Sequence, residues 1–173
     1  CELGVERGVR VTGSELVGLI PREALLMAGR HYLKMQRRTT AVPEADLIEC
    51  AVQSLGLNDL YPFKPEEKIV EFAVGQSSGQ LMDLTSEGFM DELSSNSPAP
   101  GGGSVAALAG SLGAALVSMV AALTHEKKGF ETSKDEMDIL GNKAQKIKNR
   151  LSFLVDEDSN AFNAVMEANR LPA

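Results

Sequence analysis

The chain has no tryptophan, and six phenylalanines and two tyrosines make up an aromatic share of only 5%. Positive charge is also scarce: 17 Lys and Arg face 24 Asp and Glu, a formal net charge of −7. An acidic chain with few aromatics is not built to hold nucleic acid by neutralising phosphates. The two cysteines, Cys1 and Cys50, cannot form a secreted-type disulfide framework and have no zinc-ligand spacing. Neither has a His or Asp at a spacing that would make it a nucleophile. The beginning, Cys-Glu-Leu, has no initiator Met and no basic-then-apolar leader profile. Residue 1 is therefore expected to open a fragment, and a reduced, cytoplasmic setting is the default expectation.

What is present is globular in balance, with 43% hydrophobic and 24% charged residues. A length of 173 residues admits one domain or two small or incomplete ones. The character changes near residue 75. Residues 1–74 mix strand-like and helix-like stretches, residues 75–82 contain the uncharged run Gly75-Gln76-Ser77-Ser78-Gly79-Gln80, and residues 83–173 read as helices and loops. The middle run lacks the bulk to build a core and reads as a linker. The first part carries 9 basic and 11 acidic groups and the last 8 and 13, so neither is basic.

In the first part, Ser14–Ile20 alternates weakly and is expected to be a strand ending at Pro21. A helix is expected from Arg22 to about Gln36, with Leu25, Ala28 and Tyr32 along one side. A second should start near Pro43, present Leu47, Ala51, Val52 and Leu55 on one face, and end at Gly56. Lys68–Phe72 fits either a last strand or a helix start. These elements cannot close a sheet-and-helix core, so they suggest the end of a larger α/β unit. Arg30 and His31 lie in an amphipathic helix and receive no chemical role.

In the second part, a polar loop Ser94–Pro100 leads into Gly101-Gly102-Gly103-Ser104, followed by nineteen uncharged residues, Val105–Leu123. That run raises the membrane question. Its Ala, Gly and Ser content, the small residues Gly110, Ala114 and Ser118 four apart, and the lack of an aromatic belt favour a buried helix instead. The glycines before it can turn backbone N–H groups toward one point at a helix start, a place suited to a carboxylate, a phosphate or a developing anion. They can equally make a tight turn, and no Gly-Lys-Ser/Thr follows to make a P-loop. His125, at the end of this run, reads as a helix-end residue rather than a catalyst. Lys127 and Lys128 read as solvated cations or as contacts for an anionic ligand.

A long helix should then start at the Ser133-x-x-Glu136 capping box and run to about Asn169, where Leu171-Pro172 stops it. Leu140, Ala144, Ile147, Leu151, Leu154, Asp158, Ala161 and Val165 form one seam at steps of three and four. Asp158 is its only polar member. Burial there would raise its pKa toward the range of general acid–base work, and Asp156 and Glu157, expected off the seam and solvated, would push it further. The competing reading is structural, with Asp158 capping another helix or pairing with a Lys or Arg. Lys143, Lys146 and Arg150 follow a solvent-facing row.

Several of these stretches match a known arrangement. Thr12–Pro21, Leu55-Gly56-Leu57 and Tyr61–Phe72 resemble the end of a formiminotransferase C-terminal subdomain. Ser97-Pro98-Ala99-Pro100-Gly101-Gly102-Gly103-Ser104-Val105-Ala106-Ala107 is similar to the opening signature of the cyclodeaminase/cyclohydrolase family, and Leu154-Val155-Asp156-Glu157-Asp158-Ser159-Asn160-Ala161-Phe162 to its second motif. Their order resembles that of the bifunctional formiminotransferase-cyclodeaminase family. The resemblance implies an α+β, ferredoxin-like subdomain end, a linker, and the first helices of an all-α cyclodeaminase bundle.

It also implies folate one-carbon chemistry of histidine degradation. A formimino group passes from formiminoglutamate to tetrahydrofolate, then ring closure gives 5,10-methenyltetrahydrofolate and ammonia. Asp158 matches the family's catalytic aspartate. Gly101, Gly102, Gly103 and Ser104 would meet folate through backbone amides, and Lys127 and Lys128 would meet its polyglutamate tail. His125-Glu126 replaces a smaller, Gly-containing turn that is commoner there. Tetrahydrofolate would be a co-substrate, with no metal and no membrane span, and the unpaired seam implies a homo-oligomer. The transferase histidine of the family has no counterpart among these residues, so none is assigned. The polypeptide alone is expected to be inactive unless partners complete it. A methenyltetrahydrofolate cyclohydrolase and a non-catalytic helical assembly module are the alternatives.

Overall fold

A computed structural model of the chain describes residues 2–11, 13–75 and 81–170, and the fold divides into two units, Cys1–Gln76 and Ser77–Ala173. Most of the expected linker, and the Leu171-Pro172 stop, lie outside the described residues.

The first unit starts with a short helix α1 (Glu2–Glu6) and is organised by α2 (Arg22–Met35) and α3 (Glu44–Leu55). Pro21 and Pro43 precede these two helices, and Gly56 ends α3 in the left-handed conformation, φ 66°. Leu25, Leu26, Leu33, Leu47, Ile48, Ala51, Val52 and Ile69 form one buried aliphatic core. The inner stripe of α2 differs from the expected one: Leu25, Leu26, Gly29 and Leu33 are buried, while Ala28 and Tyr32 flank them. The two helices meet at Gly29. A Cβ there would collide with the Leu47 carbonyl oxygen and lie 2.7 Å from its carbon.

The expected strand Ser14–Ile20 does not form. An extended segment becomes a strand through a ladder that satisfies its N–H and C=O groups, and no second strand lies beside it among the described residues. Instead the Ser14 N–H and Oγ both donate to the Leu55 carbonyl at the end of α3, at 2.9 and 2.8 Å. Among the described residues pairing is confined to one parallel bridge between Ile20 and Ile69. Around Ile69, Lys68–Phe72 divides into α4 (Pro65–Lys68) and α5 (Val70–Val74). The described part of the unit is thus helical, and the ferredoxin-like sheet is absent from it.

The second unit is a helical hairpin. A 3-10 turn at Leu81–Asp83 is followed by α6 (Ser86–Leu93), whose N-cap Thr85 accepts a hydrogen bond from the Gly88 N–H at 3.0 Å. Then come α7 (Gly102–Glu126) and α8 (Lys134–Ala168). At about 1.5 Å per residue the 35 residues of α8 span about 50 Å. Ser133 does stand before α8, but its side chain makes no cap hydrogen bond, so the expected capping box is not made.

The face of α7 that meets α8 is built from small residues: Ser104, Ala107, Ser111, Ser118, Ala121 and His125 are buried. Ser104, Ser111, Ser118 and His125 recur every seven residues, the repeat that keeps one stripe against a partner helix. On α8 the buried residues are Gly141, Ala144, Val155 and Ser159. The expected seam is therefore corrected in part: Ala144 is buried and Leu151 and Leu154 are half-buried, but Leu140, Ile147 and Val165 are exposed, and so are Asp158 and Ala161. Close approach selects small residues along most of the contact and turns many large ones outward, while Val155 packs with Phe89 and Ala107 in a small buried cluster. The expected small stripe shifts too, since Gly110 is exposed while Ser118 is buried.

Serines stitch the hairpin. Ser111 Oγ donates to the Lys148 carbonyl at 3.1 Å and lies 2.8 Å from Ser152 Oγ, and Gln145 Nε2 donates to Ser118 Oγ at 2.9 Å. Outward, α7 shows Leu112, Leu116, Val120 and Leu123, each more than half exposed. The expected buried helix is thus buried on one face, with an apolar face left outward. By length and composition α7 is apolar enough to cross a membrane.

Candidate functional site at the start of the hairpin

Glycine gives α7 its beginning. Gly101 is the N-cap, and Gly102, Gly103 and Ser104 form the first turn instead of a loop before it. Pro98-Ala99-Pro100 leads in through a cis Ala99–Pro100 bond. The first N–H groups of a helix have no carbonyl within it to bond, and no side chain caps α7.

Because α8 runs back along α7, this turn meets the region of Asp158. Ser104 is fully buried, and its Oγ has three oxygen neighbours. It donates to the Val155 carbonyl at 2.9 Å, lies 3.0 Å from Ser159 Oγ, and reaches Oδ2 of Asp158 at 3.3 Å. The Asp158 carboxylate rests over Gly103: a Cβ on that glycine would stand 2.5 Å from both Cγ and Oδ2, and closer still to Oδ1.

The site differs from the expected one in its exposure. Asp158 is exposed, because the residue turned inward at this level of α8 is Val155, with Ser159 one turn on. The burial expected from the seam is therefore not found at Asp158. No Lys or Arg forms an ion pair with Asp158 among the described residues. Its neighbours divide. Glu157 pairs with Arg150 at 3.2 Å on the surface, while Asp156 is half-buried and accepts the Leu81 N–H, fixing the 3-10 turn to α8 instead of standing solvated.

Gly103, Ser104 and Asp158 therefore come together, with Gly102 and Gly101 one and two residues before Gly103. Lys127 and Lys128 do not join them. They follow the other end of α7, whose 25 residues span about 36 Å, and there the Lys127 ammonium lies 5.2 Å from the Phe130 ring centre. His125 is buried at that far end with Nδ1 unpartnered, and His31 stands edge-on to Tyr32 on α2. Cys50 borders a hollow of about 350 Å³ beside α2 and α3 and lies 3.9 Å from Ser54 Oγ. Among the described residues no group of three His, Cys, Asp or Glu could hold a metal ion. The sequence reading missed Ser159. The seven-residue recurrence of serine on α7 was the signal that small polar residues face α8.

Two family models match the chain: Formiminotransferase domain over residues 1–75 and Formiminotransferase-cyclodeaminase over residues 85–173. A formimidoyltransferase-cyclodeaminase of Mus musculus is 40% identical over 169 residues, covering 96% of this chain and 31% of the relative. One from Dictyostelium discoideum is 35% identical over 170 residues, covering 96% and 32%. A methenyltetrahydrofolate cyclohydrolase of Methylorubrum extorquens is 42% identical over 88 residues, 51% of this chain and 42% of the relative. The chain thus spans about a third of the length of the formimidoyltransferase-cyclodeaminases it matches. Its two matched segments follow one another in the order transferase, then cyclodeaminase, and the second covers more than half of the residues; the chain belongs to the formiminotransferase-cyclodeaminase family.

Proposed function

We propose that the chain is the junction of a folate-dependent enzyme that moves a formimino group from formiminoglutamate to tetrahydrofolate and then closes the product to 5,10-methenyltetrahydrofolate with release of ammonia. One observation carries this reading: the glycine turn at 101–104 and Asp158, more than fifty residues apart in sequence, meet at one end of the hairpin. The folate N10 attacks the carbon of the protonated amidine, forming a C–N bond and a tetrahedral centre that carries an amino group. Asp158 takes the N10 proton and gives it to the amino group, which leaves as ammonia while the C=N bond of the methenyl bridge forms. An open carboxylate that accepts a proton and returns it can serve both steps. In this reading the first N–H groups of α7, which no side chain caps, hold a carbonyl or carboxylate oxygen of the folate.

In the complete protein, Asp158→Asn should fold and lose ammonia release about 1000-fold, within the usual range for a positioned acid–base group. Retained turnover rules the assignment out. The cyclohydrolase reading has its own support in the 42% identity to the bacterial relative, confined to half of the chain. Formiminotetrahydrofolate yields ammonia in the first reading. In the second, only hydrolysis of methenyltetrahydrofolate is catalysed. The match of residues 1–75 to a transferase domain favours the first.

Three finer expectations belong to the same proposal. The exposed apolar side chains of Val9, Val11, Val17 and Leu19 support an α+β subdomain completed by further strands. The apolar backs of α7 and α8 support assembly into a homo-oligomer, and the cysteine count supports a cytoplasmic setting. A tail-binding role for Lys127 and Lys128 places the polyglutamate contact about 36 Å from Asp158 of the same hairpin, so it calls for a long tail or a second copy.

A further inference from the structure

The carboxylate of Asp158 occupies the volume that any side chain at position 103 would fill. Helix geometry alone does not ask for glycine there, because residues in the first turn of a helix accept ordinary side chains. The neighbour that excludes a Cβ at 103 is the end of a movable side chain, not a backbone. We propose that Gly103 is a positioning residue: its missing side chain is the seat that holds the Asp158 carboxylate at the start of α7, and the buried Ser104 and Ser159 fix α8 at that level. The proposal rests on the reading of Asp158 as the proton carrier. It changes the part given to Gly103, from touching folate to placing the group that acts on it.

Ser104 explains why the seat is rigid. Its hydroxyl is fully buried and has one proton for three oxygens: the Val155 carbonyl, Asp158 Oδ2 and Ser159 Oγ. Ser159 Oγ can donate to it in turn, so the serine pair locks the α8 backbone one residue from the catalytic side chain. With the backbone fixed, the carboxylate has only its own rotamers with which to respond to a change at 103.

The test compares Gly103→Ala, Asp158→Ala and the double variant in the complete protein. Gly103→Ala should keep or slightly raise the melting temperature, since alanine favours the helix and only a side-chain end must move. Its kcat for ammonia release should fall about 100-fold with KM nearly unchanged, the loss expected when a reacting group is displaced by about 1 Å. The double variant should be no worse than Asp158→Ala. A raised KM with full kcat would assign Gly103 to folate contact and overturn the proposal. Losses that multiply in the double variant would overturn it too. A crystal structure of Gly103→Ala decides independently of activity: a displaced carboxylate supports the seat, an unmoved one refutes it. Full turnover by Asp158→Ala would instead sink the proton-carrier reading and leave the crystallographic result to judge the seat alone. Should Gly103→Ala fail to fold, recovery of folding in the double variant supports the carboxylate as the obstacle, and no recovery overturns it.

Discussion

Each unit contains one tight helix pair, and the two pairs are held together in opposite ways. Between α2 and α3 lies an aliphatic core with Leu25 and Ala51 fully buried, and the close approach at Gly29 is to the backbone of Leu47. Between α7 and α8 lie mostly serines, alanines and a glycine, with Val155 and the half-buried Leu108 as larger exceptions, while Leu112, Leu116, Val120 and Leu123 of α7 face outward. A core of large side chains completes a unit by its own burial. A seam of small ones brings backbones close, gains less from apolar burial, and leaves the apolar area on the outside. The two glycines, Gly29 and Gly103, sharpen the contrast: both exclude a Cβ, one because of a fixed backbone and the other because of a mobile carboxylate.

The largest stability effect should come where the obstacle cannot move. Gly29→Ala forces α2 and α3 apart at their crossing, and overpacking of this kind costs about 3 kcal/mol. Urea denaturation of the complete protein, followed by a probe in residues 1–75, measures it. A loss below about 1 kcal/mol would mean that Leu47 yields as easily as a side chain, and the contrast with Gly103 would collapse.

A middle effect tests the polar stitching. Ser111→Ala removes the bond to the Lys148 carbonyl and the contact with Ser152 at 2.8 Å. The expected loss is about 1 kcal/mol, the usual net worth of such a bond with its partner left buried. No loss would show that the hairpin is held by backbone proximity alone. A loss several times larger would make the serine ladder the main source of its stability.

The helix boundaries were legible because chain stiffness and capping write them locally: Pro21, Pro43 and Gly56 stand at ends that the structure reproduces. The strand at Ser14–Ile20 was not, because a strand depends on a partner that local sequence does not name, and Ser14 found the Leu55 carbonyl instead. The seam on α8 was misread for a different reason. Counting greasy residues assumes that they point inward: Ala144 and Leu154 do face the contact, but close approach turns Leu140 and Ile147 out and brings Gly141, outside the expected seam, in. Asp158 therefore lies at the rim of the contact, not inside it. That Asp158 lies near the glycine turn was suggested only by the family motifs. What places it there is the antiparallel return of α8, which a period of three and four does not encode.

The smallest effect concerns acid stability, and it belongs to the first unit alone. The Arg22 N–H, at the start of α2, donates to Glu71 Oε2 at 2.8 Å. That bond, with the Arg22 charge as a lesser contribution, holds the Glu71 carboxyl below its ordinary value of 4.5. A carboxyl depressed in the folded state binds fewer protons than it does unfolded. Its contribution is therefore whole above pH 4.5 and is lost as pH falls through the folded value. Glu71→Gln should leave a small loss of stability at neutral pH that vanishes in acid, read from melting temperatures across that window. Because the group is open to water, solvent screens it and the difference should be barely resolved. A loss that persisted unchanged below the carboxylate range would show that Glu71 acts by packing α5 against α2 rather than by its charge at the helix start.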